Sequence, residues 1–257
     1  MANNDTIQKT ITVAVALCIV CSIVVSSAAV MLRPAQEANK ALDFKRNVLA
    51  AANILQAGVS VEDQFAKVQS KIVELESGTF SDAFEVETFE QRALEKDSAN
   101  SDALSRDKDI AKIGRLEKFA KVYIAADENG EKVLILPVRG YGLWSTLRGF
   151  IALKGDLNTV VGLGFYEHKE TPGLGGEVEN PRWLASIAGK QVFDDSGDVV
   201  LRLIKGSVLA STPDAQHKID GLSGATLTSN GVTNLIKFWL GESGFGPFLT
   251  NYKNGSA

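Results

Sequence analysis

The stretch VYIAADENGEKVLILPV, residues 122–138, decides the fold class. Val122 to Ala125 and Val133 to Val138 are strand-forming runs, and Asp127-Glu128-Asn129-Gly130 between them is a hairpin signal. A second hairpin follows, with Gly149 to Leu153 and Thr159 to Phe165 flanking Lys154-Gly155-Asp156-Leu157-Asn158. Next come a short helix at Pro181 to Ala188, a strand at Val199 to Lys205, and shorter strand candidates at Ser207 to Ala210 and Gln216 to Ile219. Hairpins in succession imply a mainly antiparallel sheet with helices packed against it, an α+β fold.

Upstream, Ile11 to Leu32 is an uncharged apolar run of 22 residues. At about 1.5 Å per residue it spans the roughly 30 Å hydrocarbon core of a bilayer. Ser26-Ser27-Ala28 offers a signal-peptidase site, but the apolar part of a signal peptide usually holds about 7–15 residues. A retained transmembrane helix is therefore expected. Both cysteines, Cys18 and Cys21, lie inside this run and read as soft apolar residues. The chain from Arg33 onward has none, which argues against a disulfide framework or a protein-ligated iron–sulfur cluster there. Residues 34–57 read as a helix with Phe44, Val48, Ala52 and Leu55 on one face and Gly58 as its stop. Ser60 starts another, with Asp63 at the capping-box position and Val61, Phe65, Val68 and Ile72 inward. Residues 90–118 are dense in charge and read as a surface insertion or helix without assigned chemistry.

A net charge of −4 argues against nucleic acid as a partner. Two histidines and no cysteine after Cys21 make a zinc site improbable. Ser223, His217 and Asp220 sit too close in sequence for a strand-borne hydrolase triad, and no Gly-x-Ser-x-Gly elbow exists. Gly140-Tyr141-Gly142 lacks the strand, helix and later acidic residue of a dinucleotide loop, so NADH is not expected to bind here.

The string Asp220-Gly221-Leu222-Ser223-Gly224-Ala225-Thr226 precedes a helix whose apolar positions recur at Val232, Leu235, Ile236, Trp239 and Leu240. Thr228 or Ser229 is the expected N-cap, which puts the Thr226 hydroxyl at a helix N-terminus. Unpaired N–H groups and the helix dipole favour a phosphate there. A threonine alcohol is a weak nucleophile without an adjacent base, so Thr226 reads as an attachment point rather than a catalyst.

The string resembles the Asp-x-x-(Ser/Thr)-Gly-Ala-Thr signature of proteins that carry FMN as a phosphoester on the final threonine, placed there from FAD by a separate flavin transferase. The loops Gly140-Tyr141-Gly142-Leu143-Trp144-Ser145 and Gly162 to Gly176 are similar to those of the C subunit of the bacterial sodium-translocating NADH:quinone reductase (Na+-NQR). The run Glu170-Thr171-Pro172-Gly173-Leu174-Gly175 is shared with the G subunit of the Rnf electron-transport complex. The Gly-Leu-Trp-Ser run and the continuation from Gly175 to Trp183 look more like Na+-NQR. The Rnf G subunit, or a membrane module that holds flavin reversibly, are the alternative readings.

The resemblance implies an N-terminal tail at 1–10, a transmembrane helix at 11–32, a helical and charged connecting region at 33–118 and an FMN-binding domain at 119–257. It implies covalent FMN on Thr226, with Asp220, Ser223, Gly224, Ala225 and Thr228 around the attachment. Trp144, Ser145, Glu170, Thr171, Leu174 and Gly175 would complete the cofactor site, with Trp144 and Leu174 as apolar faces for the ring and Thr171 with backbone N–H groups at its polar edge. It further implies an electron relay from an iron–sulfur centre of neighbouring subunits to the next flavin, in the membrane-embedded B subunit. The B, D, E and F subunits are the implied partners, and neither NADH oxidation nor quinone reduction is implied for this chain alone. Sidedness divides the arguments. Lys9 precedes the apolar run, whereas Arg33, Lys40, Lys45 and Arg46 follow it, so the positive-inside rule places the domain in the cytoplasm. The resemblance places it in the periplasm, anchored to the inner membrane. Long domains translocate largely regardless of charge, so the periplasmic reading is the one expected.

Overall fold

The computed structural model describes residues 6–257. It divides into a first unit ending at Asp43 and a second from Phe44 to Ala257. Helix α1, Ile7–Ala51, carries the first unit, and its last residues belong to the second. The two helices expected at 11–32 and 34–57 are thus one, with Pro34 inside it. The helix also stops before Gly58. Asn53 adopts the left-handed conformation (φ 55°), its N–H donates to Ala50 O (3.0 Å), and the Ile54 N–H donates to Leu49 O (3.1 Å). That pair of bonds is a Schellman ending, and asparagine is the side chain that takes this position most readily after glycine.

The second unit continues with α2 (Val61–Phe65), β1 (Gln69–Glu74), β2 (Thr79–Phe80), α3 (Gln91–Leu94), β3 (Ser101–Ala103) and β4 (Arg115–Glu117). Then come β5 (Phe119–Ala126), β6 (Lys132–Tyr141), β7 (Thr146–Lys154), β8 (Val160–Glu167) and α4 (Pro181–Ala185). Finally there are β9 (Arg202–Leu203), β10 (Lys218–Ile219), α5 (Thr226–Leu240) and α6 (Gly246–Asn254). Six strands form one antiparallel sheet in the order β2-β1-β5-β6-β7-β8. The two expected hairpins supply its last four strands, β5 to β8, with β8 at the edge.

Both faces of this sheet are buried, which explains why β6 is apolar almost throughout rather than alternating. Val133 and Ile135 face one core with Tyr123, Phe150 and Ala152, covered by Val48, Leu49, Ala51 and Ala52 at the end of α1. Phe44 meets Phe150 and Tyr166 edge-on there, at 5.1 and 5.5 Å. Leu134, Leu136 and Val138 face the other core with Val122, Leu147 and Ile151, covered by Val232, Leu235, Ile236 and Trp239 of α5 and Phe248 of α6. Pro137 is tolerated in β6 because pairing with β5 runs only from Tyr123↔Ile135 to Ala126↔Lys132, so no ladder bond is lost on that side.

Several expectations are corrected. Ser60 does cap α2, accepting from the Asp63 N–H at 3.2 Å, but the helix ends at Phe65. Ile72 lies instead on β1, which pairs with β5 from Gln69↔Ile124 to Glu74↔Phe119. The boundary expected at 118/119 therefore falls inside the sheet, because β1 and β2 precede it and belong to it. The sheet offers a full ladder of hydrogen bonds to these residues, which outweighs weak helix periodicity. Strand 199–205 shrinks to β9, residues 207–210 form no strand, and the strand at 216–219 reduces to β10 behind a 3-10 turn at Ala215–His217. β9 and β10 pair in parallel.

The charged segment 90–118, exposed over much of its length, is tied into the core through a few of its charges. Glu117 is fully buried and accepts from Arg139 Nη2 and from Gln91 Nε2 (2.8 Å). Arg139 Nη2 also donates to Arg115 O at 2.8 Å, and its guanidinium lies 5.9 Å from the Trp239 ring. Glu95 takes a two-pronged pair from Arg148, at 2.6 and 2.7 Å. Removing one partner of a buried ion pair strands the other charge, which typically costs about 3–5 kcal/mol. Glu117→Ala should therefore lower the unfolding free energy of the detergent-solubilised protein by about that amount, measured by urea titration. A loss within about 0.5 kcal/mol, as for an ordinary surface substitution, would contradict the assignment.

Candidate functional site

Thr226 is the first residue of α5 and is exposed. Ala225 stands at the N-cap and no side chain caps the helix. The expected cap residues are used otherwise. Thr228 and Ser229 are buried in the first turn, where Thr228 Oγ1 donates to Glu170 Oε2 (2.8 Å) and Ser229 Oγ accepts from the Leu222 N–H (3.1 Å). The N-cap falls three or four residues before the expected one because both hydroxyls bind groups outside the helix, leaving its first N–H groups available to an anion.

The string before Thr226 is fastened from three sides. Asp220 Oδ1 accepts from the Val208 N–H at 2.7 Å, and Asp220 O accepts from Trp183 Nε1 at 2.8 Å. The Gly221 N–H donates to Gly206 O, and Leu222 is buried in the main core. Ser223 and Gly224 remain exposed at the turn. Gly224 has φ +70°, and a Cβ there would come within 2.9 Å of Leu174 Cδ2. The Leu174 side chain consequently lies over the turn that leads into Thr226.

Glu170 draws the remaining loops to the same place. Its Oε1 accepts the N–H groups of Leu143 and Trp144, both at 3.0 Å, while Oε2 takes the Thr228 hydroxyl. The residue is 5 % exposed. Gly175 is packed so closely that a Cβ would lie 2.6 Å from both Glu170 Oε2 and Thr228 Oγ1, and one at Gly142 would lie 2.6 Å from Glu170 Oε1. Burial pushes the Glu170 carboxyl upward, but the Trp144 N–H, the Thr228 hydroxyl and the Leu143 N–H together hold it below the usual glutamate range. His168 Nδ1 accepts from the Glu170 N–H at 3.1 Å and steadies the approach. Ser145 Oγ accepts from the Lys169 N–H (2.8 Å), and Thr171 O accepts from the N–H groups of Leu174 and Gly176.

Around this clasp, large apolar side chains are left in solvent. Trp144 is 64 % exposed, Leu174 44 % and Leu227 59 %, with Tyr141 and Leu143 beside them in sequence. Leu227 is absent from the residues expected at the site, and its one sequence signal is that it lies off the apolar face that starts at Val232. Exposed apolar side chains gathered from two loops and the first turn of α5 make a surface suited to a flat apolar group. A cleft of about 940 Å³ elsewhere is lined by residues of both charge signs, among them Asp194, Arg202, His217, Lys218 and Lys237, and by none of the motif residues. Lys218 Nζ donates to Pro213 O on that side.

The residues suit a flavin phosphate on physical grounds: an exposed hydroxyl at an uncapped helix start, a glycine turn, and apolar surfaces beside a rigid polar clasp. Residues 142–241 match the family model described as FMN-binding domain. The C subunit of the Na(+)-translocating NADH-quinone reductase of Pseudomonas aeruginosa is 50% identical over 261 residues, covering 100% of both chains. The C subunit of Haemophilus ducreyi is 43% identical, covering 98% of this chain and 96% of that one. Among solved structures, NqrC of Shewanella oneidensis superposes with a TM-score of 0.77 at 36% identity, covering 84% of this chain and 99% of that chain. The α+β fold with its antiparallel sheet and packed helices is thus shared with solved relatives, and the chain belongs to the family of C subunits of the Na+-translocating NADH-quinone reductases.

Proposed function

We propose that this chain is the membrane-anchored, FMN-carrying electron-relay subunit of a Na+-translocating NADH:quinone reductase, with FMN esterified through its phosphate to Thr226 Oγ1. The observation that carries the reading is the position of Thr226. Its hydroxyl is exposed on the first residue of an uncapped 15-residue helix, at the end of the Asp220–Thr226 string.

When bound, FMN supplies the redox chemistry, and the protein supplies attachment, orientation and field. The free N–H groups at the start of α5 offset the phosphodiester charge. Trp144 and Leu174 offer apolar faces to the ring, while Thr171 and the backbone of the 171–176 loop offer polar contacts to its edge. Asp220 and Trp183 hold the turn so that Thr226 projects outward instead of packing. No side-chain base lies beside Thr226 in sequence, which fits attachment by a separate transferase that joins the FMN half of FAD to the hydroxyl and releases AMP.

Within the complex, the electron enters from an iron–sulfur centre of neighbouring subunits and leaves to the flavin of the membrane-embedded B subunit, with the D, E and F subunits as further partners. Helix α1 supports the anchor: it is long and apolar enough to cross a membrane, and the residues of its apolar window are unburied. Residues 11–32 are the proposed transmembrane segment, and the flavin domain lies on the periplasmic side of the inner membrane. In place of a boundary at residue 119, the unit that carries the flavin begins near Phe44.

Two experiments test this. Coexpressed with a flavin transferase, the parent chain should fluoresce as flavin in a denaturing gel, and Thr226→Ala should not. The alanine variant should lose no more than about 1 kcal/mol of stability, since it removes no capping bond. Persistent fluorescence in Thr226→Ala would place the linkage on another residue. For sidedness, alkaline phosphatase fused after Ala257 should be active and green fluorescent protein there should stay dark. The reverse pattern would put the domain in the cytoplasm, as the charge rule demands.

A further inference from the structure

Glu170 does more than a surface glutamate in a turn needs to do. Its carboxylate is buried and accepts three hydrogen bonds, all from neutral donors: the Leu143 N–H, the Trp144 N–H and the Thr228 hydroxyl. Among the described residues no cation lies within ion-pair distance of it. Neutral dipoles steady a charge without cancelling it. Gly142 and Gly175 pack closely against the two carboxylate oxygens, with no space between for a side chain.

We propose that Glu170 is a positioning residue that holds a fixed negative charge among the loops that would hold the flavin, and thereby lowers the reduction potential of FMN on Thr226. The inference rests on the attachment reading given above. Three contacts set the geometry. Glu170 binds the backbone of Trp144, one of the two apolar ring surfaces, and packs against Gly175, the neighbour of Leu174, the other. Through Thr228 it also binds the helix turn that bears Thr226. A ring tethered to Thr226 and flanked by Trp144 and Leu174 therefore lies close to this carboxylate. Each electron delivered to the ring adds one negative charge unless a proton arrives with it. A like charge held nearby in a partly dry site opposes that addition.

Charge and geometry separate cleanly by substitution. In Glu170→Gln, the amide oxygen can keep accepting from Leu143 and Trp144 while the amide nitrogen donates to Thr228 Oγ1, which accepts as readily as it donates. The clasp survives and only the charge goes. Thr228→Val does the opposite, removing one bond of the clasp and keeping the charge. Glu170→Asp retains the charge on a shorter arm.

The test is a dithionite redox titration of the full-length, transferase-matured protein in detergent, followed by flavin absorbance. Glu170→Gln should shift the potential positive of the parent, whereas Thr228→Val and Glu170→Asp should stay near the parent or move negative. An unmoved or more negative potential in Glu170→Gln, with flavin still bound to the denatured chain, would overturn this inference alone. So would a positive shift in Thr228→Val as large as that in Glu170→Gln, because loosened geometry would then account for both. Absence of chain-bound flavin in the parent would overturn the attachment reading and this inference with it.

Discussion

The carboxylate of Glu170, clasped between the turn after β6 and the first turn of α5, is the contact on which the arrangement of the site depends. Two backbone N–H groups and one hydroxyl converge on it from positions 26, 27 and 58 residues away in sequence. Each is a charge-assisted bond, stronger than its neutral counterpart, and each is shielded from water by close packing. Without it, the loop bearing Trp144, the loop bearing Leu174 and the helix bearing Thr226 would have no common fixed point. The two loops carry exposed apolar side chains, so little hydrophobic burial would hold them to the helix start.

The clasp works because it stands on a rigid base. The sheet is covered on both faces, and Trp239 of α5 donates its indole N–H to Arg139 O of β6 at 2.6 Å. That bond and the apolar face of α5 fix the helix against the strands, while the buried Arg139–Glu117 pair ties β6 to β4. The helix start and the turn after β6 are then held at a set separation, and loops built on such elements position a cofactor more closely than free loops do. The same logic explains why residues 90–118, which look like a solvated insertion, contribute buried charge to the base of the site.

Local signals account for what can be read from the chain in advance. The Asp-Glu-Asn-Gly turn and its flanking apolar runs specify the central hairpin with no outside help, and the α5 face is written in its three-and-four spacing. Glu117 and Arg139 give no such local signal, because their meaning lies in a pairing 22 residues apart, which charge density alone cannot show. Thr228 is legible as a polar residue at a helix start, but its partner is a carboxylate from a distant loop, so capping is the natural reading and not the right one. The spacing of Ile72 from Phe65 and Val68 suits a helix, and only the ladder with β5 decides otherwise. Of the site, the string ending at Thr226 is legible by family resemblance, whereas the neutral-donor environment of Glu170 arises only when three distant segments fold together.

The central claim is that Thr226 itself carries the flavin. Trypsin should release the peptide from Ile219 to Lys237, which contains Thr226 and no internal lysine or arginine. Mass spectrometry of that peptide from protein matured in a host with a flavin transferase tests the claim most directly. The account predicts a mass increased by one FMN less one water, with fragmentation placing the addition on Thr226. An unmodified Ile219–Lys237 peptide from flavin-containing protein, or the same addition on Thr228, Ser229 or Thr233, would contradict it.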